Sequence, residues 1–432
     1  MAKLKNMLDF DLRGKVVLVR MDHNVVKKGK IKDTMRIDAT IPTLLHIYKK
    51  GGLPVLMSHV GRPYDKKTGE FNISDEDSTL PILQYLEQKL QLKGLAPVYE
   101  DKSPIVNVSP IAEAITHLKA GACDFVYLPN TRWFRGEEAK DESSNAMAIS
   151  LASLADIFIN DAFGSWQAHC STVGIAAQLP SAAGLLMQKE VGFLSKVFEP
   201  ERPLLAVVAG AKFDTKIGPL SSLIKLADHL ILGGVIYNAY LCVKYGIKIK
   251  GVSEDDLVQA RMFIADAGEY SSRIVELPSI IESDSIEDNS SWRIRHLADL
   301  VPGTELNYVL DAAPESFADA SIIKLFGDAK TIFVNAVMGY TALFGEGTKA
   351  MYQLIDQNKT ALKLFGGGDT IQDFKELLPG VFAKAANNPQ YYFFTGGGAI
   401  LDAIQQGSAY GMKPVQALLE KVTSYLIKYI IS

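Results

Sequence analysis

Two glycine-rich stretches, Gly366-Gly-Gly-Asp-Thr370 and Thr395-Gly-Gly-Gly-Ala399, are the parts of this sequence best suited to holding a phosphate. Each follows a short apolar run. Glycine lets a chain turn sharply from strand into helix and lets a ligand approach the backbone. The N–H groups at the start of the helix, together with its dipole, then favour an anion. One such stretch serves equally as a tight turn without a ligand. Two in succession, one carrying Asp369 and Thr370, favour the phosphate reading. Asp369 is a candidate Mg²⁺ ligand, because that ion prefers carboxylate plus phosphate oxygens. Gly210-Ala-Lys212, followed by Lys216, adds two lysines at i and i+4 after another apolar run, and on a helix both would face one way.

The first half of the chain offers different chemistry. Arg20, Asp22 and Asn24 follow one apolar run, and Ser58, His59, Gly61 and Arg62 follow the next. Asn130 and Arg132 come after a third, then Asn160, Asp161 and, further on, His169. Arginine, histidine and asparagine suit a small polyanion, whereas glycine turns and lysines suit nucleotide phosphates. Two such sites point to phosphoryl transfer between them. Bland readings stand beside each motif: Asp22-His-Asn24 as a turn cap, Arg36 and Arg132 as surface ion-pair formers, the lysines as solvated. His23, His46, His117, His229 and His296 read as structural or surface groups. No Ser-His-Asp arrangement and no metal-ligand spacing stands out.

Positioning these groups falls to the apolar runs. They include Val16-Val-Leu-Val19, Pro54-Val-Leu-Met57, Phe125-Val-Tyr-Leu128 and Ile157-Phe-Ile159, then Leu204-Leu-Ala-Val-Val208, Leu230-Ile-Leu232, Tyr308-Val-Leu310, Thr331-Ile-Phe-Val334, Leu362-Lys-Leu-Phe365 and Tyr391-Tyr-Phe-Phe394. Stretches of helical period separate most of them. Such alternation predicts parallel strands buried on both faces. Ligands of open parallel sheets bind outside the carboxyl ends of the strands, where all these polar groups would sit. The fold class is therefore α/β, with two doubly wound parallel-sheet (Rossmann-like) domains joined by a hinge helix. The expected bounds are 1–187 for an acid-substrate domain, 188–203 for the hinge helix and 204–412 for a nucleotide-binding domain. A tail of about 413–432 is expected to pack back on the first domain, its apolar stretch Val422 to Ile431 reading as a terminal helix.

Bulk properties agree. A chain of 432 residues exceeds the roughly 250–300 that one core supports. A net charge of −4 suggests no nucleic-acid partner. The three cysteines, Cys123, Cys170 and Cys242, are too scattered for a disulfide framework or a zinc site, which fits a cytoplasmic protein. No apolar run approaches the ~20 residues of a membrane span, and Met1 to Met7 lacks a signal peptide's apolar stretch.

In order along the chain, Val19-Arg-Met-Asp-His-Asn-Val25, Lys32-Asp-Thr-Met-Arg-Ile37, Met57-Ser-His-Val-Gly-Arg-Pro63, Asn130-Thr-Arg132, Asn160-Asp-Ala-Phe-Gly164, Gly210-Ala-Lys212 with Lys216, and the two glycine stretches resemble the motifs of phosphoglycerate kinases, from about Leu12 to Gly407. The resemblance implies transfer of a phosphoryl group from 1,3-bisphosphoglycerate to ADP, giving 3-phosphoglycerate and ATP with Mg²⁺, by a monomer whose domains close about the hinge. It assigns Asp22, Asn24, Arg36, His59, Arg62, Arg132 and His169 to the acid. It assigns Gly210, Lys212, Lys216, Gly233, Asn335, Gly367, Gly368, Asp369 and Thr370 to the nucleotide. Arg36, Lys216 and the backbone N–H groups near Gly368 and Gly397 would act on the transferring group, and Asp369 on the metal.

The chain departs from the family pattern in four places. Ser165-Trp-Gln-Ala-His169 is one residue shorter than usual and lacks a substrate arginine. The ribose-contacting glutamate falls at or near Ala342, with Glu346 close by. Gly233-Gly-Val235 is one glycine short, and Asp311-Ala-Ala-Pro314 replaces a D-I-G-P stretch. These changes leave two alternatives open: a catalytically silent nucleotide-binding paralogue, and a kinase for another phosphorylated carboxylic acid.

Overall fold

The apolar runs are strands sealed on both faces. In this computed structural model, Val16–Arg20 is buried along its whole length and Leu53–Met57 everywhere but its first residue. The structure describes residues 2–65, 67–99, 105–211 and 216–420. They divide into two compact units, one of residues up to 191 with those from 410 onward, the other of residues 192–409. The division falls at Val191/Gly192, inside the helix Leu185–Phe198.

The first unit holds a six-stranded sheet in the order Gly94–Leu95, Phe125–Tyr127, Leu53–Met57, Val16–Arg20, Ile157–Asn160, Ser181–Ala183. Every pair is parallel. Continuous burial explains this arrangement, since parallel strands carry helices on both faces. Val16–Arg20 lies between strands reached by crossovers in opposite directions, so a crevice opens at its carboxyl end. The helix Met35–Lys49 follows it, with Asp38 in its first turn and His46 and Lys49 in its last, a charge order that complements the helix dipole. Residues of the C-terminal segment close against the amino terminus: Lys5 N–H donates to Leu418 O at 2.9 Å and Glu420 N–H to Lys3 O at 2.9 Å. The terminal helix expected over 422–431 lies outside the described residues.

The second unit repeats the scheme. Its sheet runs Ile274–Val275, His229–Gly233, Leu204–Gly210, Thr331–Asn335, Leu362–Phe365, Tyr391–Phe393, again all parallel. Here the switch point lies between Leu204–Gly210 and Thr331–Asn335. One expected member of the parallel sheet is elsewhere. Tyr308–Ala312 belongs to a separate antiparallel sheet, in the order Trp292–His296, Ser279–Ser283, Tyr308–Ala312. A three-residue apolar run does not reveal strand direction. The strand Trp-Arg-Ile-Arg-His at the other edge of that sheet is polar enough to escape notice, and its Arg293 and Arg295 pair with buried Glu282 at 2.8 and 2.5 Å. Asp311 therefore does not line a parallel-sheet edge. Its carboxylate accepts from Ala312 N–H and Gly347 N–H, both at 2.9 Å.

An aromatic cluster supports the glycine stretch at 366–370. Phe365 is fully buried. Its ring lies 5.1 Å from that of Phe374, 5.4 Å from Phe393 and 6.0 Å from Tyr352. The Tyr352 hydroxyl is 3.0 Å from both Ala336 O and Thr370 O, tying the cluster to the loop above it. Phe365→Ala is expected to cost about 3–5 kcal/mol in denaturant unfolding, and Phe365→Leu distinctly less. A loss below about 1 kcal/mol for the alanine variant would show that the cluster does not support the loop.

Candidate active site

In the first unit the site is built around a charge with no access to water. Arg20 is the last residue of its strand and is completely buried. Its Nε donates to Ser171 Oγ at 2.8 Å, and Ser171 Oγ donates in turn to Glu137 Oε1 at 2.5 Å. Nη1 donates to Met21 O. Nη2 lies 3.2 Å from Ser165 Oγ and 2.5 Å from His59 Nδ1. An arginine offers only donors, so Nδ1 is the acceptor and a neutral His59 keeps its proton on Nε2. Burial, then the charges of Arg20 and Arg132, hold His59 well below the usual imidazole range. Ser165 Oγ donates in turn to Asp22 Oδ1 at 3.4 Å, and Arg36 reaches the same oxygen at 3.8 Å.

A second group forms beside it. Asn130, buried after the strand Phe125–Tyr127, accepts from Val60 N–H at 2.9 Å and donates to Val60 O at 2.7 Å. This clamp fixes the loop that carries His59, Gly61 and Arg62. Gly61 sits at φ +62°, and its N–H donates to Asn24 Oδ1 at 3.0 Å. Arg132 donates to Gly61 O at 2.6 Å and pairs with Glu138 at 2.6 Å. Glu138 lies 3.8 Å from His169 Nε2, whose imidazole is held low chiefly by burial. Arg62 is exposed. Asp22, Asn24, Arg36, His59, Arg62, Arg132 and His169 thus all belong to one unit, and the contacts just described join all but Arg62 within two neighbouring networks. Glu137, Glu138, Ser165 and Ser171 escaped the sequence reading as site residues. The adjacent acidic pair after Arg132 was the available signal.

In the second unit Lys216 precedes the helix Ile217–Leu226 and turns back to the sheet. Its Nζ donates to Ala209 O and, at 2.7 Å, to Asn335 Oδ1. Burial pushes the ammonium down to about 8, against an opposing pull from Asp369. Asn335 also donates to Gly366 O at 2.7 Å, which links the lysine to the glycine stretch. Gly367 takes φ +108°, a conformation that only glycine adopts readily, and the helix Gly368–Leu377 starts after it. Asp369 stands exposed in its first turn, with Thr370 buried beneath.

The other glycines serve close packing. A Cβ on Gly397 would lie 2.7 Å from Gly367 Cα, so the two glycine stretches rest back to back. Gly233 is hemmed in by Ala209 and Met338, each 2.9 Å from its would-be Cβ. Gly234, at φ +64°, lies against Gly210. Lys212 lies outside the described residues, and the helical pairing of the two lysines with it. Ala342 is exposed, and Glu346 begins a helix where it pairs with Lys349 at 3.3 Å.

The arrangement suits a divalent cation held by one carboxylate together with ligand phosphates. The exposed Asp369 at a helix start, beside a glycine that permits close approach, is such a donor. Among the described residues no group of three or more His, Cys, Asp and Glu side chains forms a metal cage.

The family model described as phosphoglycerate kinase matches residues 7–407. Phosphoglycerate kinase of Pseudothermotoga lettingae is 34% identical over 421 residues, covering 94% of this chain and 97% of the relative. That of Roseiflexus sp. is 33% identical over 413 residues with the same coverage. The solved structure of phosphoglycerate kinase from Coxiella burnetii superposes with a TM-score of 0.76 at 28% identity, covering 96% of this chain and 98% of that one.

Two substitutions test the packing of the site. Gly397→Ala drives a methyl into Gly367 and is expected to cost about 1–3 kcal/mol in thermal denaturation. Gly368→Ala, whose Cβ would meet nothing within 4 Å, is expected to be near neutral. Equal effects would refute the back-to-back contact. Glu137→Gln removes the larger of the two counter-charges of Arg20, Asp22 supplying the other, and is expected to cost about 3–5 kcal/mol. A near-neutral result in the same measurement would show that Asp22 and Ser165 suffice.

Proposed function

The chain belongs to the phosphoglycerate kinase family, and on that footing we propose how its residues divide the work of the reaction between 1,3-bisphosphoglycerate and ADP. Asp22, Asn24, Arg36, His59, Arg62, Arg132 and His169 hold the acid. Gly210, Lys212, Lys216, Gly233, Asn335, Gly367, Gly368, Asp369 and Thr370 hold the nucleotide, with Mg²⁺ at Asp369. The metal, when bound, neutralises phosphate charge. Arg36, Lys216 and the N–H groups near Gly368 and Gly397 stabilise the transferring group.

Lys216 carries this reading. It is a half-buried ammonium whose hydrogen-bond partners among the described residues are neutral oxygens, which leaves its charge for a ligand to satisfy. Phosphoryl transfer spreads negative charge over equatorial oxygens, and catalysis is mostly positioning and charge stabilisation. The acceptor is a carboxylate, already ionised at neutral pH, so no general base is needed. A neutral His59 with its proton on Nε2 fits a donor to the acid rather than a base. Bringing the carboxylate to the nucleotide is assigned to movement about the helix Leu185–Phe198, which also excludes water from an acyl phosphate. The protein is proposed to act as a cytoplasmic monomer on small molecules, without a nucleic-acid or membrane partner. Among the described residues no helix is long and apolar enough to cross a membrane.

A kinase for another phosphorylated acid is a second reading, favoured by Gln167, which stands exposed in the shortened loop. Purified protein with Mg²⁺, ATP and a panel of phosphorylated acids separates the two. Turnover confined to 3-phosphoglycerate supports the first reading, and preference for another acid the second. Lys216→Ala is expected to lower kcat roughly 10²–10³-fold, and equal ADP release by wild type and variant would defeat the assignment.

The pH dependence follows from the lowered lysine. Free Lys216 loses its proton as pH rises through about 8, so kcat/KM for MgATP is expected to fall there. Lys216→Arg, which stays charged, should lose that alkaline limb in its residual activity. The sign for stability is opposite. Between about 8 and the ordinary 10.5 the unfolded chain binds the proton that the folded chain has released, so this group's contribution to stability grows with pH.

A further inference from the structure

We propose that His23, a fully buried side chain, is the positioning residue that sets the acid-binding half of the site. The inference rests on the assignment of Asp22, Asn24, Arg36, His59 and Arg132 to the acid.

His23 lies between Asp22 and Asn24 and has no exposed surface. Its ring meets two hydroxyls. Nε2 is 2.7 Å from Thr40 Oγ1, and Nδ1 is 2.8 Å from Tyr127 Oη. The proton positions can be deduced. Thr40 Oγ1 spends its only hydrogen on Ile37 O at 2.8 Å, so it must accept from His23. The imidazole proton is therefore on Nε2, and Nδ1 accepts from the Tyr127 hydroxyl. In this neutral tautomer every donor of the group meets an acceptor. Burial, followed by the charges of Arg20 and Arg36, keeps the ring neutral, with its titration lowered to about 3. The backbone at the same residue makes a third tie, His23 N–H to Ser58 Oγ at 3.0 Å.

Each tie leads to a different group of the site. Thr40 is one helical turn beyond Arg36 in Met35–Lys49, on the same face. Tyr127 ends the strand that leads to Asn130 and Arg132. Ser58 immediately precedes His59. Asp22 and Asn24 flank the ring itself. One residue thus ties together four segments of the unit, adding to the clamp of Asn130 on Val60 and the contact of Gly61 N–H with Asn24. A buried network whose members are all satisfied specifies one geometry, and deleting one member strands its partners.

The test compares His23→Phe, which keeps ring volume but neither hydrogen bond, with His23→Gln, whose amide supplies a donor near the Nε2 position. KM and kcat are measured for 3-phosphoglycerate and for MgATP, alongside the unfolding midpoint. His23→Phe is expected to raise KM for the acid about tenfold while leaving KM for MgATP unchanged, and His23→Gln to recover most of the loss. A folded His23→Phe protein with unaltered acid KM overturns the inference. So does a variant in which the two KM values rise together, or in which only the midpoint moves. Wild-type turnover with 3-phosphoglycerate is the separate control: its failure defeats the substrate reading, not the comparison among variants, which is then read by calorimetric titration with 3-phosphoglycerate.

Discussion

A guanidinium shut away from water must be neutralised by its own surroundings, and Arg20 imposes that demand on the whole first unit. Its Nε and one Nη2 contact go to serine hydroxyls rather than directly to carboxylates. Ser171 relays to Glu137 and Ser165 to Asp22. The relays divide the compensation between two acids, so neither is spent fully on the arginine. Asp22 shares the oxygen that Ser165 meets with Arg36, and the His59 ring is left neutral with one N–H to offer. An unrelieved charge at this depth would cost several kcal/mol. The loops after three strands are therefore fixed by the same electrostatic requirement that prepares a surface for a polyanion.

The second unit solves the complementary problem with a lysine whose hydrogen bonds, among the described residues, go to neutral oxygens and not to a carboxylate. Lys216 touches a carbonyl and an amide oxygen, which orient the ammonium without cancelling it. Burial then lowers its affinity for the proton. A phosphate arriving there supplies the missing counter-charge and restores it. The glycines matter because the backbone must come close: Gly367 at φ +108° exposes the first turn of a helix, and Gly397 permits the second stretch to lie directly behind it. Both sites occupy the switch point of a parallel sheet, where neighbouring crossovers diverge and leave the strand ends open.

This logic explains what the sequence could disclose. Strands buried on both faces read as plain apolar runs, so both parallel sheets were visible, and with them the edge that carries the polar groups. Tyr308–Ala312 was misplaced because a short apolar run has no direction, and Trp292–His296, on the far side of Ser279–Ser283 in the same sheet, was hidden by the arginines that pair with Glu282. Single charged residues near the strand ends could be found by type. The residues that balance them could not. Glu137 and Ser171 act through contacts that span 34 residues, and His23 was read as structural because nothing in the local sequence announces Thr40 or Tyr127 as its partners.

The shortened loop at 165–169 is best judged by what still anchors it. At one end Ser165 bridges Arg20 and Asp22. At the other, His169 N–H donates to Thr172 Oγ1 at 2.9 Å, and that hydroxyl donates to Gln167 O at 2.8 Å. The loop is thus pinned on both sides of the place where the family pattern carries an arginine. Beside the family pattern the loop carries one charge fewer, on a frame held at both ends. A charge-assisted contact is worth about 1.5–3 kcal/mol, roughly a ten- to hundredfold change in affinity. That is enough to retune how the acid is held. It does not touch Lys216 or the glycine stretches, so on the proposed division of roles the chemistry of transfer and the choice of acid are separable.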